Sequence, residues 1–206
     1  MIWTFRITLL LFVAWIVFLV SPFVALYDLT KAVEAKDAAR IAERVNFRAV
    51  RISLTQQIVG TYLTTKAGQQ AFGDLDRRAA TSAGAAIVNP LVEQLVTPEA
   101  LIDLLEDGWP QQAAGNGGRA ARAAVPTPTG IDFGSFGEAV KVFLTSEGQG
   151  FRSVTIPLPP DTERDKQFRF TMRLSGMTWR LTGIDLPKAL RQELIRRAPK
   201  TTSLSQ

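Results

Sequence analysis

The feature that most constrains this chain is an unbroken apolar run from Ile7 to Val20 (ITLLLFVAWIVFLV), which Phe23-Val24-Ala25-Leu26 extends past Ser21-Pro22. As a helix, Ile7 to Val20 reaches only about 21 Å, whereas Ile7 to Leu26 reaches about 30 Å, the thickness of a bilayer's hydrocarbon core. Trp3 and Tyr27 flank the run, roughly 36 Å apart on a helix, where aromatic side chains settle at the two interfaces. Arg6 is placed to snorkel towards headgroups. Residues 1–26 are therefore expected to be a transmembrane anchor. The competing reading is a cleaved signal peptide, but cutting after Ala25 would put bulky Phe23 where a small residue is required.

Orientation is balanced between two signals. Arg6 favours a cytoplasmic N-terminus, while Lys31, Lys36 and Arg40 follow the span on the other side. A short charged tail tends to stay behind, so the expectation is a single-pass inner-membrane protein with its soluble domain in the periplasm.

Composition removes whole classes of chemistry. The chain has no cysteine, hence no disulfide or thiolate metal site, and no histidine, hence no imidazole base or ligand. No cofactor or metal is expected. The net charge of +5 is uneven: Phe151 to Gln206 holds 11 basic against 5 acidic residues, while Met1 to Gly150 holds 13 against 14. A basic last quarter suits an anionic membrane or an acidic partner.

Beyond the anchor, residues 27–109 read as a helical half. Leu26, Leu29 and Val33 recur at helical spacing, then Ala38, Ile41, Ala42 and Val45, with Lys36-Asp37 marking a kink or a new start and Asp37 as N-cap. A second stripe, Val50, Leu54, Ile58 and Tyr62-Leu63, ends at Lys66-Ala67-Gly68. Arg77 to Val96 is a helix that Asn89-Pro90 should break or kink. Thr97-Pro98-Glu99 opens a short helix with a hydroxyl cap, proline at the first position and an acid in the first turn, and Gly108 stops it. Residues 110–137, rich in Gly, Ala, Pro and Thr, read as a flexible loop. Its Gly115-Asn116-Gly117-Gly118-Arg119 lacks the strand and lysine of a phosphate loop.

Over 138–198 the period changes to two. Phe168, Phe170, Met172 and Leu174 alternate with polar residues, as do Met177, Trp179 and Leu181 after a turn at Ser175-Gly176. This predicts a hairpin pairing Leu174 with Met177, Met172 with Trp179 and Phe170 with Leu181. Phe151 to Leu158 adds a strand that Pro157, Pro159 and Pro160 mark as an edge; Val140, Val142 and Leu144 suggest another. Pro187 opens a last helix with Leu190, Leu194 and Ile195 on one face, and 199–206 is a disordered tail. The expected class is α+β: an N-terminal transmembrane helix, then a helical half packed on a three- to four-stranded antiparallel sheet. By analogy of fold, such a sheet looks like an NTF2-like or cystatin-like cone.

SPFVALYDLTKAVEAKDAARIAERVNF (Ser21 to Phe47), TPEALIDLLEDG and WRLTGIDLP (Trp179 to Pro187) resemble the bacterial domain-of-unknown-function family 2939. That family also opens on an apolar segment followed by Ser-Pro, a tyrosine and a helix ending in Val-Asp-Phe; here Asn46 replaces the aspartate. The resemblance implies membrane anchoring and no assigned activity.

Two residue sets are candidate sites. The hairpin places Arg169, Arg173 and Arg180 on the face opposite the apolar pairs, among Thr171, Thr178 and Thr182. They could bind an anion or lipid headgroups, or be a solvated face. No aromatic residue interleaves with them, so no nucleic-acid platform is expected. Phe168, Phe170, Met172 and Trp179 are either core or the lining of an apolar pocket. Asp161, Glu163 and Asp165 have the alternation of a calcium loop without its glycine and final glutamate, and read as a solvated turn. Asp103, Glu106 and Asp107 read as helix-end carboxylates, and Asp74 and Asp76 as loop residues. The expected role is non-enzymatic binding or scaffolding in the cell envelope, towards an envelope protein or anionic lipid. A cavity for a small molecule or lipid is the alternative, and a carboxylate-based enzyme the third reading.

Overall fold

A computed structural model describes residues 2–72, 75–107, 142–148, 150–160 and 162–197. Six helices come first: α1 (Ile2–Glu34), α2 (Ala38–Arg44), α3 (Phe47–Leu63), α4 (Lys66–Phe72), α5 (Arg77–Leu95) and α6 (Pro98–Asp107). Strands β1 (Glu147–Gly148), β2 (Ser153–Leu158), β3 (Phe168–Ser175) and β4 (Thr178–Asp185) follow, then α7 (Lys188–Arg197). The sheet is antiparallel in the order β1-β2-β3-β4, so the α+β expectation holds. Residues 110–137 and 199–206 lie outside the described residues, as do Gly108, Val140, Asp74 and Asp161.

Helix α1 has two parts with different surroundings. From Trp3 to Val17 its apolar side chains are exposed, and an 18-residue window within it has a mean hydropathy of 2.7. It is long and apolar enough to cross a membrane. From Pro22 onward, Ala25, Leu26, Leu29, Ala32 and Val33 are buried on one helical stripe. Full burial of each of the larger three contributes about 1.5–3 kcal/mol. The C-terminal end of the predicted span is thus also core of the domain.

Pro22 does not interrupt α1. Having no N–H, it leaves the Phe18 carbonyl without its helical donor, and the Ser21 hydroxyl takes that place, donating to Phe18 O at 2.7 Å. The helix ends at Glu34 and is closed by Lys36, which holds a left-handed φ of 52° while Asp37 N donates to Ala32 O at 2.9 Å. Asp37 then caps α2 as expected, accepting from Ala39 N and Arg40 N. Asp28 holds α2 against α1 by a fork, Oδ1 to Arg40 Nη2 at 3.0 Å and Oδ2 to Arg44 Nε at 2.8 Å.

Asn46 caps α3, and its own N–H donates to Leu181 O at 2.8 Å, joining the helical half to β4. Either Asn or Asp caps a helix well, which is why asparagine can stand where the resembling family has aspartate. Lys66-Ala67-Gly68 opens the short α4 rather than closing α3, which stops at Leu63. Nor does Asn89-Pro90 break α5, which runs through to Leu95; the Asn89 carboxamide oxygen accepts from Thr55 of α3. Thr97 caps α6 through Ala100 N, as its Thr-Pro-Glu start predicts. Residues 142–145 are helical, not a strand.

The hairpin differs from expectation by two residues. Its turn is Gly176-Met177, so Leu174 pairs with Trp179 and Met172 with Leu181. A bulge at Thr182 then brings Phe170 opposite Ile184. A slip of two preserves which face each residue takes, so Phe170, Met172, Trp179 and Leu181 are buried as expected while Met177 is displaced to the tip. Gly176, at φ 63°, supplies the left-handed conformation there. Pro157 is tolerated because two-residue β1 pairs only with Val154 and Thr155, leaving that part of β2 a free edge.

Candidate functional site

The arginines of the hairpin divide into two environments. Arg169 and Arg173 share a face of β3, but four residues separate them by about 13 Å. Arg173 stands directly across from Arg180, and both are exposed. Arg152 joins them: its carbonyl accepts from Leu174 N at 2.9 Å and its Nη2 reaches Leu174 O at 3.4 Å. Among the described residues, none of these three has an ion-pair partner. The structure therefore brings Arg173 and Arg180 together, adds Arg152, and sets Arg169 apart.

Arg169 is 7% exposed. Its Nη2 donates to Glu147 Oε2 at 2.5 Å, and its Nε lies 3.8 Å from Asp185 Oδ2 without a hydrogen bond. The hydrogen bond from Arg169 and its charge hold the Glu147 carboxyl below its usual range, against a smaller opposing effect of desolvation. A polar cleft of about 470 Å³ opens here, lined by Ser53, Gln57, Arg164, Arg169, Asp185 and Arg191 among others. Gln57 ties its walls together, donating to Asp185 Oδ1 and accepting from Leu186 N. With a carboxylate on each side of Arg169, the cleft is already close to charge-balanced.

Of the elements that line this cleft, only α3 falls within the stretch that a family model matches. A family model described as "Protein of unknown function (DUF2939)" matches residues 11–104. Over those residues, the chain is similar to that family. No curated protein and no solved structure matches. The DUF2939 segment runs from within α1 to α6, so it contains Ser21 to Phe47 and the Thr97-Pro98-Glu99 start. The sheet lies outside it, yet Trp179 to Pro187 makes direct contact with it. Trp179 Nε1 donates to Ser21 Oγ at 2.6 Å, Leu181 O accepts from Asn46 N, and Asp185 is held by Gln57. The two ends that resemble the family are thus one packed unit.

Phe168, Phe170, Met172 and Trp179 are buried in the same apolar cluster as α1, α2 and α3, and none lines the cleft above or the groove described next. That groove, about 820 Å³, lies between α3 and α5 and is lined by Arg51, Ile52, Arg78, Ala85, Asn89 and Val92 among others. Sequence reasoning passed over it because no single motif marks a space between two helices. The carboxylates single out as little: Asp76 caps α5 through Ala79 N, Glu163 pairs with Lys166, and the Asp165 carbonyl accepts from Lys188 N. Asp103 is half-buried on α6, and the side chains of Glu106 and Asp107 lie outside the described residues. Among the described residues no group of three or more Asp or Glu is arranged to hold a metal.

Proposed function

We propose that this chain is a single-pass, membrane-held module of the bacterial inner membrane, its domain periplasmic, whose task is non-enzymatic binding or scaffolding of an envelope protein. One observation carries the reading: the apolar helix α1 passes without a break from exposed Trp3–Val17 into the core of the domain at Ala25–Val33. A domain built on its own span is fixed in height and tilt above the bilayer, a geometry that suits presenting a surface. Retention of the segment is supported by the same contacts. Cleavage after Ala25 would remove Ser21 from Trp179 and Phe23 from Phe143, whose rings lie 5.5 Å apart. The non-enzymatic part is supported by the lack of histidine and cysteine and by the paired state of Asp28, Glu147, Glu163 and Glu193 with Arg or Lys.

Three measurements test it. Intact mass of the protein in carbonate-washed membranes should include residues 1–25; a soluble species lacking them overturns the anchor. Protease added to intact spheroplasts should digest the domain; protection there, with digestion in inverted vesicles, overturns the periplasmic placement. Photo-crosslinking from the α3–α5 groove in cells should give a discrete envelope-protein adduct, and its absence from every groove position removes the scaffolding role.

A further inference from the structure

We propose that the tip of the β3–β4 hairpin, with Phe151 beside it, inserts into the bilayer surface next to α1, and that Arg152, Arg173 and Arg180 meet anionic phospholipid headgroups there. The proposal rests on α1 being a membrane span.

Height along α1 makes the first argument. The fully exposed apolar stretch, Trp3 to Val17, is only about 22 Å long, short of the roughly 30 Å of hydrocarbon it must match. Measured from Ile7, just inside interfacial Trp3 and Arg6, 30 Å ends near Leu26. The hydrocarbon boundary therefore falls where the domain already touches the helix. The outward face of α1 agrees, since Val20 and Val24 stay exposed beside the buried stripe.

The second argument is the direction of β4. Arg44 is bonded to Asp28, Leu181 lies beside Val45 and Asn46, and Trp179 is bonded to Ser21 with its ring 6.1 Å from that of Phe18. From Leu181 to Trp179 the strand descends towards the N-terminal end of α1. Two residues further, at about 3.3 Å each, Met177 lies level with about the fourth turn of the span, below Phe23.

The third is what stands at that height. Met177 is 97% and Phe151 85% exposed. Phe151 is one residue from Arg152, which is bonded to Leu174 at the end of β3. Leu144 is 74% exposed beside Phe143, whose ring meets Phe23 of α1. Scattered exposed apolar residues are ordinary, but these share one height with the apolar face of a span. Just behind them are three arginines with no ion-pair partner among the described residues, and no Asp or Glu occurs from Phe151 to Leu158 or from Phe168 to Ile184. Arg173 and Arg180 face each other across the strands, a like-charge pair that is unfavourable without a counter-anion. Apolar tips backed by arginines are the pattern of an interfacial anchor on an anionic leaflet.

The chain has no cysteine, so single labels can be placed cleanly. Full-length protein carrying Met177→Cys, Leu11→Cys or Glu163→Cys is labelled with an environment-sensitive fluorophore and reconstituted into phosphatidylethanolamine vesicles with or without phosphatidylglycerol. Nitroxide on the lipid chains and iodide in the water serve as quenchers. The proposal expects the label at 177 to shift to the blue and be quenched by shallow nitroxide, as the label at 11 is by deep nitroxide, while that at 163 answers only to iodide. If 11 is quenched and 177 behaves like 163, the span stands and the insertion is overturned. If 11 is not quenched, the span itself fails. Shielding of 177 from both quenchers means that protein covers the tip, which also overturns the proposal. Phosphatidylglycerol should deepen the 177 label, and Arg173→Gln with Arg180→Gln should abolish that deepening; no response to phosphatidylglycerol removes the arginines from the contact.

Discussion

The Ser21 hydroxyl and the Trp179 indole, 158 positions apart in sequence, are joined by a 2.6 Å hydrogen bond in which Trp179 Nε1 donates. Ser21 has both functions occupied, since its own proton goes to the Phe18 carbonyl that Pro22 leaves unserved. One small side chain therefore repairs the proline defect in α1 and fixes β4 to it. Ser21→Ala should cost about 1–3 kcal/mol, because it orphans a partly buried donor and a helix carbonyl together. Trp179→Phe keeps the ring against Phe18 but removes the donor. The double variant should lose less than the sum of the two singles, measured as denaturant midpoints in detergent.

Glu147 gives a pH signature. Its carboxyl is held below the usual value by the hydrogen bond and charge of Arg169, so the folded state binds its proton less readily than the unfolded chain does. Stability from this pair is then fully present above the ordinary glutamate value, near 4.5, and lost as pH falls through the lower folded value. Glu147→Gln should flatten that part of the acid limb in a plot of melting temperature against pH. An unchanged acid limb would show that Arg169 draws its compensation from Asp185 instead.

Gly84 marks a tight crossing of α3 and α5, where an added Cβ would stand 2.9 Å from Val59 Cγ1. Alanine normally gains about 1 kcal/mol over glycine inside a helix, yet overpacking a core costs about 1–3 kcal/mol. The crowding wins here because Val59 is fully buried and has little room to yield. Gly84→Ala should lower the melting temperature, and adding Val59→Ala should cost less than the two changes taken independently.

How far the sequence could be read follows from the range of each interaction. Asp37, Thr97 and the apolar stripes of α1 and α3 were legible because caps and periodicity are local. The face of each hairpin residue was legible too, since Phe170 and Met172 keep their side under any even slip. The turn itself was not: Ser175-Gly176 and Gly176-Met177 are equally good dipeptides, and only the bulge at Thr182 and the packing of Trp179 on Ser21 select the second. Arg169 looked equivalent to Arg173 because alternation fixes faces and says nothing of neighbours. Its burial depends on Glu147 and Asp185, which come from β1 and from the end of β4. The helix at 142–145 was misread because Val142 and Leu144 alternate, whereas Val142 is buried and Leu144 is exposed.

Helix α2 is seven residues long, too short to be stable on its own. Two carboxylates hold it: Asp37 at its N-terminus and Asp28 across from Arg40 and Arg44. The cap should be worth about 1 kcal/mol. Asp28 is one-quarter exposed and its arginines more so, which keeps the fork near the upper end of surface pairs, about 1 kcal/mol and sensitive to salt. Ile41 is fully buried against the core, so losing either carboxylate alone should leave α2 docked. Removing both, as Asp28→Asn with Asp37→Ala, should release it locally while α3 and α5 hold. Amide hydrogen exchange would then rise at Ile41 to Val45 and stay unchanged at Val88 to Val92. Equal acceleration in both places would mean that α2 unfolds only with the whole domain.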